Sequence, residues 1–347
     1  MAIGTYGDVD NDTAGYYVVQ LLNHATPDIV VDRFALMKTL PRHNNDNIQF
    51  SRPVPYEPAL IPLREGVTPE GNVFQYERVY ARVQQFGDYS LFSDDRVDYS
   101  KRSMMLQESA QIHGEQIALT REKLLWKTIS NGTGVSRGAG ATARNTLTTT
   151  GNITPGIVDR VVTGIRREKG RMLTERLTGS PKYRTAPIPP SWVAFCHTDV
   201  VPAMKNKLRR TGNWARGFME ASDYGTVAPV SQFEEGQFDR IRFICTPEFD
   251  GFPGGGAAEA SGNGAGWKVT DGKFDVYPIV VVSKQSYGCV KFGGPESVTP
   301  VILRARGDSS DPLKQKHSVG WKMRFASLIL KDEWIHRMEV TVEYDDA

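Results

Sequence analysis

Paired cysteines, a long apolar run and a strong charge of either sign are all missing from this chain of 347 residues, and each absence excludes a class of protein. Cys196, Cys245 and Cys289 stand singly with no CxxC spacing, which argues against a disulfide framework or a thiolate metal site and leaves buried reduced thiols. No segment approaches the ~18 uninterrupted apolar residues of a membrane-spanning helix, so no membrane association is expected. The opening MAIGTYGDVDND has neither a basic region nor an apolar core, so it reads as no secretory signal and the cytosol is the expected compartment. A net charge of +2 does not announce a nucleic-acid binder, because phosphate binding needs a concentrated basic surface.

Chemistry-bearing motifs are scarce as well. The loop GFPGGGAAEASGNGAGWK is glycine-rich, but Trp267 separates Gly266 from Lys268, so the adjacent Gly-Lys-Ser/Thr of a phosphate loop is not there, and Gly262, Gly264 and Gly266 do not make GxGxxG. The histidines His24, His43, His113, His197, His317 and His336 form no HExxH and no pair four apart. His197-Thr198-Asp199 offers a base beside a carboxylate, yet sequence neighbours seldom make a relay and Asp199 suits a helix cap. No GxSxG elbow surrounds any serine. No catalytic residue, cofactor or metal is expected.

What is present is a spine. SKRSMMLQESAQIHGEQIALTREKLLWKTIS, residues 100 to 130, reads as one helix about 45 Å long with two apolar rows, Met105, Ile112, Leu119 and Trp126 in one and Ala110, Ile117 and Leu124 in the other. Asp94, Asp95 and Asp98 suit its N-terminal end and Asn131-Gly132 supplies a stop. Before it, Ile48, Phe50 and Val54 alternate with polar residues, and Val73 to Phe86 alternates again, which predicts two strands pairing as a hairpin. The connection PVPYEPALIPLREGVTP carries five prolines together with Leu60, Ile61, Leu63 and Val67. Those apolar side chains are buried either on the loop's own domain or on a neighbouring molecule.

The remainder is mixed. Residues 1 to about 35 hold too little apolar surface for a core and read as an arm, with helix-like spacing from Pro27 to Leu40. Thr154-Pro155 opens a predicted helix through Arg171. Its end is basic, with Arg166, Arg167, Lys169 and Arg171, and a second cluster follows at Lys205, Lys207, Arg209 and Arg210. These clusters either form solvated faces or meet nucleic acid; neither has the aromatic interleaving of a single-strand reader. SWVAFC, RIRFICTP, PIVVVS and YGCVKFG predict strands, residues 198 to 208 a short helix, and the tail two long strands, one with Val319, Trp321, Met323 and Phe325 on a single face.

In this order the chain resembles the major capsid proteins of tailed bacteriophages, which have the Hong Kong 97 fold, and more narrowly the coliphage N-four type. The resemblance lies in LMKTLPRHNNDNIQF (36 to 50), PLREGVTPEG (62 to 71), VQQFGDYSLFSD (83 to 94), GEQIALTREKLLW (114 to 126) and VGWKMRFASLILKDEWIHRMEV (319 to 340), with residues from about 209 to 310 matching least. It implies an α+β fold with an N-terminal arm (1 to 40), an extended β-hairpin loop and stem (41 to 95), and a peripheral domain (96 to 184) built on the spine helix. A mixed α/β axial domain (185 to 300) and C-terminal strands returning to the peripheral domain (301 to 347) complete it.

The implied function is self-assembly into pentamers, hexamers and an icosahedral head around double-stranded DNA, with no catalysis. On that reading Leu60, Ile61, Leu63 and Val67 would lie on the adjacent subunit, with Arg64 and Glu65 available for charge pairing, and the basic clusters would make weak, sequence-independent contact with packaged DNA. A portal, a separate scaffolding protein and a decoration or cement protein are the implied partners. Some members of this fold weld their shells from a lysine on the extended loop; residues 51 to 100 contain no lysine, so no such crosslink is expected. The competing readings are an encapsulin-like shell and a soluble hydrolase with an unrecognised site.

Overall fold

Three stretches that are apolar at nearly every position, Trp192–His197, Ile241–Thr246 and Val276–Val282, have no polar face to turn to water, so each needs a sheet covered on both sides. The structure is a computed structural model that describes residues 29–41, 46–60, 62, 65–66, 68, 71–99, 105–174, 190–208, 217–224, 229, 231–259, 266–292, 298–303, 313 and 315–343. It sets those three stretches side by side in a seven-stranded sheet.

In chain order the strands are β1 (Leu36–Leu40), β2 (Asn47–Pro53), β3 (Tyr76–Arg82), β4 (Gln84–Ser93), β5 (Val135–Arg137), β6 (Trp192–His197), β7 (Met219–Glu220), β8 (Glu234–Phe238), β9 (Ile241–Thr246), β10 (Val269–Thr270), β11 (Lys273–Phe274), β12 (Val276–Val282), β13 (Tyr287–Phe292), β14 (Val298–Leu303), β15 (Lys316–Ile329) and β16 (Ile335–Thr341). The helices are α1 (Asp94–Tyr99), α2 (Met105–Ile129), α3 (Pro155–Arg167) and α4 (Val200–Lys207). The large sheet runs β5-β16-β12-β6-β9-β8-β7. A second sheet is built on β15: β13 and β14 follow one another against residues 325–329 and 318–323, and β4 pairs with residues 316–325. Because β14 and β4 share the same residues of β15, they occupy its opposite edges.

One face of the large sheet is covered by α3 and α4. Ile157, Val158, Val161, Val162 and Ile165 of α3 repeat at helical spacing and are all buried against Trp192, Ala194, Ile279, Val281, Met338 and Val340. Burial of five such side chains contributes about 10 kcal/mol of gross hydrophobic stabilisation. The other face, through Val193, Phe195, Ile244, Val280 and Val282, meets the C-terminal half of α2. That half of α2 also carries the second sheet: Leu125, Trp126 and Ile129 share one core with Trp321, Met323 and Phe325. Thr128 and Ser327 are hydrogen bonded through their hydroxyls at 2.6 Å, and Trp126 stacks on Phe249 with ring centroids 4.5 Å apart. The helix is a plate between two sheets.

Several expectations change. The segment from Pro27 to Leu40 is a single 3-10 turn at Val31–Phe34 followed by strand β1, which adds in parallel to β13; residues 27 and 28 lie outside the described residues. An available sheet edge overrides weak helical spacing. The alternation from Val73 to Phe86 is not one strand: β3 pairs with β2, the Val83 N–H donates to Asp46 O, and the chain then joins β15 as β4. Of the expected spine, Met105–Ile129 is described as α2, α1 lies before it at Asp94–Tyr99, and residues 100 to 104 lie outside the described residues. The basic helix stops at Arg167, short of Arg171, because Lys169 takes φ 55°; the chain then passes so close to Ile165 that a Cβ at Gly170 would fall 2.5 Å from it. Strand pairing links segments far apart in the chain, on either side of residues 185 to 300. The large sheet takes β5 and β16 from outside that interval, and β13 from inside it belongs with β15.

Candidate assembly interface

The hairpin β2–β3 has two different faces, as period-two alternation requires. Ile48, Phe50 and Arg52 stand opposite Ala81, Val79 and Glu77 and face the body, where Phe50 and Ala81 are buried with Leu40, Val290, Ala326 and Leu328. Arg52 pairs with Glu77 and lies 5.4 Å over the Trp334 ring, and Lys38 lies 4.6 Å over Phe50. The opposite face carries Asn47, Gln49, Ser51, Tyr76, Arg78, Tyr80 and Arg82, all exposed. Among the described residues, the hairpin is fastened to the body at its root.

Past the root the exposed surface becomes apolar. The Val54 N–H donates to Gln75 O, extending the ladder, and Tyr56, Phe74 and Tyr76 form a chain of edge-to-face contacts with centroids 6.4 and 4.8 Å apart. Val73 and Phe74 are consecutive, so alternation cannot put both on one covered face; they are 76% and 55% exposed. Leu60 is 84% exposed. Glu65 is exposed in a turn beside Gly66, whose φ is 77°. Ile61, Leu63, Arg64 and Val67 lie outside the described residues. Tyr56, Val73, Phe74 and Tyr76 were not singled out in the sequence, although the adjacent pair Val73-Phe74 is the local signal that marks them.

Of the spine residues, Trp126 is buried, Ile117 and Leu124 pack at the edge of the core between the sheets, and Ile112 is 58% exposed. Met105, Ala110 and Leu119 are half-buried. The row from Met105 to Trp126 is therefore not a continuous covered strip within one chain. A polar node on the same helix was not foreseen. Fully buried Glu122 accepts the N–H groups of Val30 and Val31, both at 2.8 Å, and Tyr287 donates to Val31 O at 2.8 Å. Arg121 pairs with Asp32, and Lys291 lies 3.7 Å from the same carboxylate. Burial pushes the Glu122 carboxyl above its ordinary range, against the two backbone hydrogen bonds, and pushes the Cys289 thiol up to about 12. This node fixes residues 30 to 32, the described start of the chain, to the spine.

A second node joins the end of α2 to the large sheet. Buried Glu339 is held by Arg137 at 2.8 Å, Arg144 at 2.6 Å and Arg337 at 3.1 Å, and Arg337 donates to Ser130 O. Burial raises the Glu339 pKa, but the hydrogen bond and charge of Arg144, with the charges of Arg337 and Arg137, outweigh it and hold the carboxyl below the usual range.

His197 and Asp199 do not form a relay. Asp199 accepts from Lys268 at 2.5 Å and Tyr277 at 2.7 Å, while His197 Nδ1 accepts the Asp199 backbone N–H at 3.0 Å. Burial lowers the histidine's pKa, so the ring is neutral at pH 7. Asp199 makes no side-chain cap on α4 either, because Lys268 and Tyr277 hold its carboxylate. The group is a packed ion pair with a phenol.

The basic clusters differ. Lys205 lies 3.4 Å from Glu235 and Lys207 2.7 Å from Glu343, so acids offset this cluster; Arg209 and Arg210 lie outside the described residues. Arg166, Arg167, Lys169 and Arg171 are exposed and make no ion pair among the described residues, although Arg166 also covers the Trp192 ring. Exposed Lys284 joins them, its N–H donating to Arg171 O at 2.9 Å.

Comparison with known proteins gives these surfaces a context. The major capsid protein of Pseudomonas phage KPP21 is 20% identical over 261 residues, covering 73% of this chain and 65% of that protein, so the match spans slightly less than two thirds of the relative. The capsid of Ralstonia phage GP4 superposes with a TM-score of 0.68 at 8% identity, covering 100% of both chains. The SrpI encapsulin complex of Synechococcus elongatus superposes with a TM-score of 0.52 at 11% identity, over 95% of this chain and 96% of that one. The fold is thus the Hong Kong 97-like capsid fold, which phage heads and encapsulins share; these matches do not address the coliphage N-four branch. The sequence model of the phage capsid protein family matches residues 76–335, most of the chain, and the chain belongs to that family.

Proposed function

We propose that this chain is the major capsid protein of an icosahedral phage head, forming pentamers and hexamers that close around double-stranded DNA. The observation that carries this reading is the hairpin: beyond its root it holds Tyr56, Leu60, Val73, Phe74 and Tyr76 in solvent, where no described part of the same chain covers them. An apolar, proline-stiffened projection of this kind is stable when a neighbouring copy covers it. Each contact would be heterologous and weak, and the closed shell stable through their number.

On this reading residues 1 to 40 form the arm, 41 to 95 the extended loop and stem, 96 to 184 the peripheral domain, 185 to 300 the axial domain and 301 to 347 the returning strands. Leu60, Ile61, Leu63 and Val67 would bury on the adjacent subunit beside Arg64 and Glu65, and the exposed parts of the spine rows, Ile112 foremost, would meet a neighbour. Arg166, Arg167, Lys169 and Arg171 are favoured over Lys205 and Lys207 as DNA-facing residues, because the latter two have acidic partners. Assembly would take place in the host cytoplasm, with a portal, a scaffolding protein and a decoration protein as partners.

Negative-stain microscopy of the expressed chain, alone and with its phage's scaffolding protein, tests the reading; capsomers or shells support it, and a monodisperse monomer under all conditions refutes it. The likeness to an encapsulin favours a second reading, a shell around an enzyme cargo. Particles carrying a cargo enzyme instead of DNA and a portal would establish that alternative.

A further inference from the structure

The hairpin root leaves a space where it meets the body. Between β2 and β3 on one side, and β1, the β12–β13 turn and the β15–β16 connection on the other, lies a cavity of about 300 Å³. Phe50 and Val79 from the hairpin, with Leu36, Leu330 and Trp334 from the body, give it apolar walls, while Lys38, Arg52 and Gln285 bring polar groups to the same space. Apolar walls with a few convergent polar groups are the make-up of a small-molecule site; a gap left by imperfect packing would be lined by carbon alone. The cations are arranged in a particular way. Lys38 Nζ lies 4.6 Å over the Phe50 ring and the Arg52 guanidinium 5.4 Å over the Trp334 ring, so both rest on aromatic faces at the cavity. Lys38 is exposed and makes no ion pair among the described residues, and Glu77 engages a single nitrogen of Arg52, whose fork has further donors. The walls are held in place as well. The Trp334 indole N–H donates to Glu168 O at 2.8 Å, which fixes the ring, and Gln285 stands at φ 61°, a conformation that glycine adopts without strain and that here carries an amide side chain at the mouth.

We propose that this cavity binds a small aromatic carboxylate, with a flat body of one or two rings between Phe50, Val79 and Trp334 and its charge at Lys38 and the remaining donors of Arg52. Charge selects the sign of the ligand. A cation would face Lys38 and Arg52 with Glu77 alone among the described lining residues to offset them, whereas an anion meets Lys38 at its ring and draws on the guanidinium that Glu77 leaves partly free. Volume selects its size, since 300 Å³ lies at the lower end of the range for ligand pockets and leaves no room for a long or branched molecule. The apolar walls select its body, because the rings of Phe50 and Trp334 and the side chains of Leu36, Val79 and Leu330 offer no partner to a hydroxylated or amide-rich one. Since one wall is hairpin and the other is body, an occupant adds contacts across the joint and fastens the root of β2–β3 further. That consequence is independent of what the chain assembles into.

Titration of the full-length, unassembled chain with naphthalene-2-carboxylate tests this. Calorimetry should give saturable one-to-one binding with a Kd on the order of 0.1 to 1 mM, as expected for a ligand of about a dozen heavy atoms. In nitrogen-15-labelled protein the indole resonance of Trp334, assigned by its loss in Trp334→Phe, should shift along the same isotherm. Naphthalene-2-methanol keeps the rings and lacks the charge, and it should bind about tenfold more weakly or worse. Lys38→Glu should weaken the carboxylate by about tenfold or more, leave the melting temperature unchanged and bind the alcohol as the wild type does. Non-saturable binding, equal affinity for acid and alcohol, or a Trp334 resonance that stays in place through the titration overturns the proposal. Full affinity for the carboxylate in a folded Lys38→Glu chain overturns it too. No particle is counted in these measurements, so the shell reading stands or falls separately.

Discussion

The carboxylate of Glu122 accepts the N–H of Val31 at 2.8 Å across 91 residues of chain, so the spine helix holds the described start of the polypeptide by its backbone. A side chain that reads backbone donors is indifferent to the residues it holds and strict about their position. Glu122→Ala leaves two buried donors without an acceptor, and a loss of about 3 kcal/mol in the denaturant unfolding of the unassembled chain is expected. Glu122→Gln keeps an acceptor and should lose only about 1 kcal/mol. Because burial raises the Glu122 pKa in the folded state, the wild type should gain stability relative to Glu122→Gln as pH falls toward the ordinary carboxylate range, and lose that gain as pH rises through the raised value. Equal pH slopes for the two chains would show that the carboxylate is not the titrating group.

Glu339 shows the opposite sign. Its pKa is held below the usual range by Arg144, Arg337 and Arg137, so the stabilisation is present above the ordinary carboxylate pKa and is lost as pH falls through the lowered value. Glu339→Gln leaves three guanidiniums converging on a neutral amide, one of them bonded to the Ser130 carbonyl at the end of α2. A destabilisation of roughly 3 to 5 kcal/mol at neutral pH is expected, with a flatter stability profile than the wild type below about pH 4. Chemical denaturation across pH measures both.

These nodes explain how much of the molecule could be read in advance. Strands β6, β9 and β12 were legible because an unbroken apolar run has nowhere to go but a sheet covered on both sides, and the hairpin because Phe50 and Ala81 repeat at period two. Strand β1 was not, because LMKTL becomes a strand only by adding to an edge supplied 250 residues later. The long pairing of β4 with β15 was hidden for the same reason. Glu122 looks in sequence like any polar position on a helix, and nothing local reports that two backbone donors meet it. On the hairpin, Tyr56, Phe74 and Tyr76 are far apart in sequence or flank a strand start, and their rings touch because β2 and β3 pair in this register.

The aromatic chain separates folding from assembly. Phe74 is 55% exposed and its described ring partners are Tyr56 and Tyr76, so Phe74→Ala should change the stability of the unassembled chain by no more than about 0.5 kcal/mol. At an interface a truncated aromatic commonly costs more than about 1 kcal/mol per contact, multiplied over every subunit of a shell. Normal melting with a sharp fall in sedimenting particles is the expected result. Unchanged particle yield would place Phe74 outside the contact.

The two basic clusters make the last contrast. Arg167→Glu with Lys169→Glu reverses charges that meet no acid among the described residues, whereas Lys205→Glu with Lys207→Glu breaks pairs with Glu235 and Glu343 and sets like charges together. If the end of α3 faces packaged DNA, the first variant should reduce double-stranded DNA binding by disassembled capsomers and lower the magnitude of the log-salt slope by about one to two per chain, because fewer counterions are released. The second should lower the melting temperature and leave that slope alone. Filter binding over a range of salt, read beside thermal melts, decides between them: an unchanged slope for the first variant means that this cluster is a solvated helix end, complementing the dipole of α3 and meeting no phosphate.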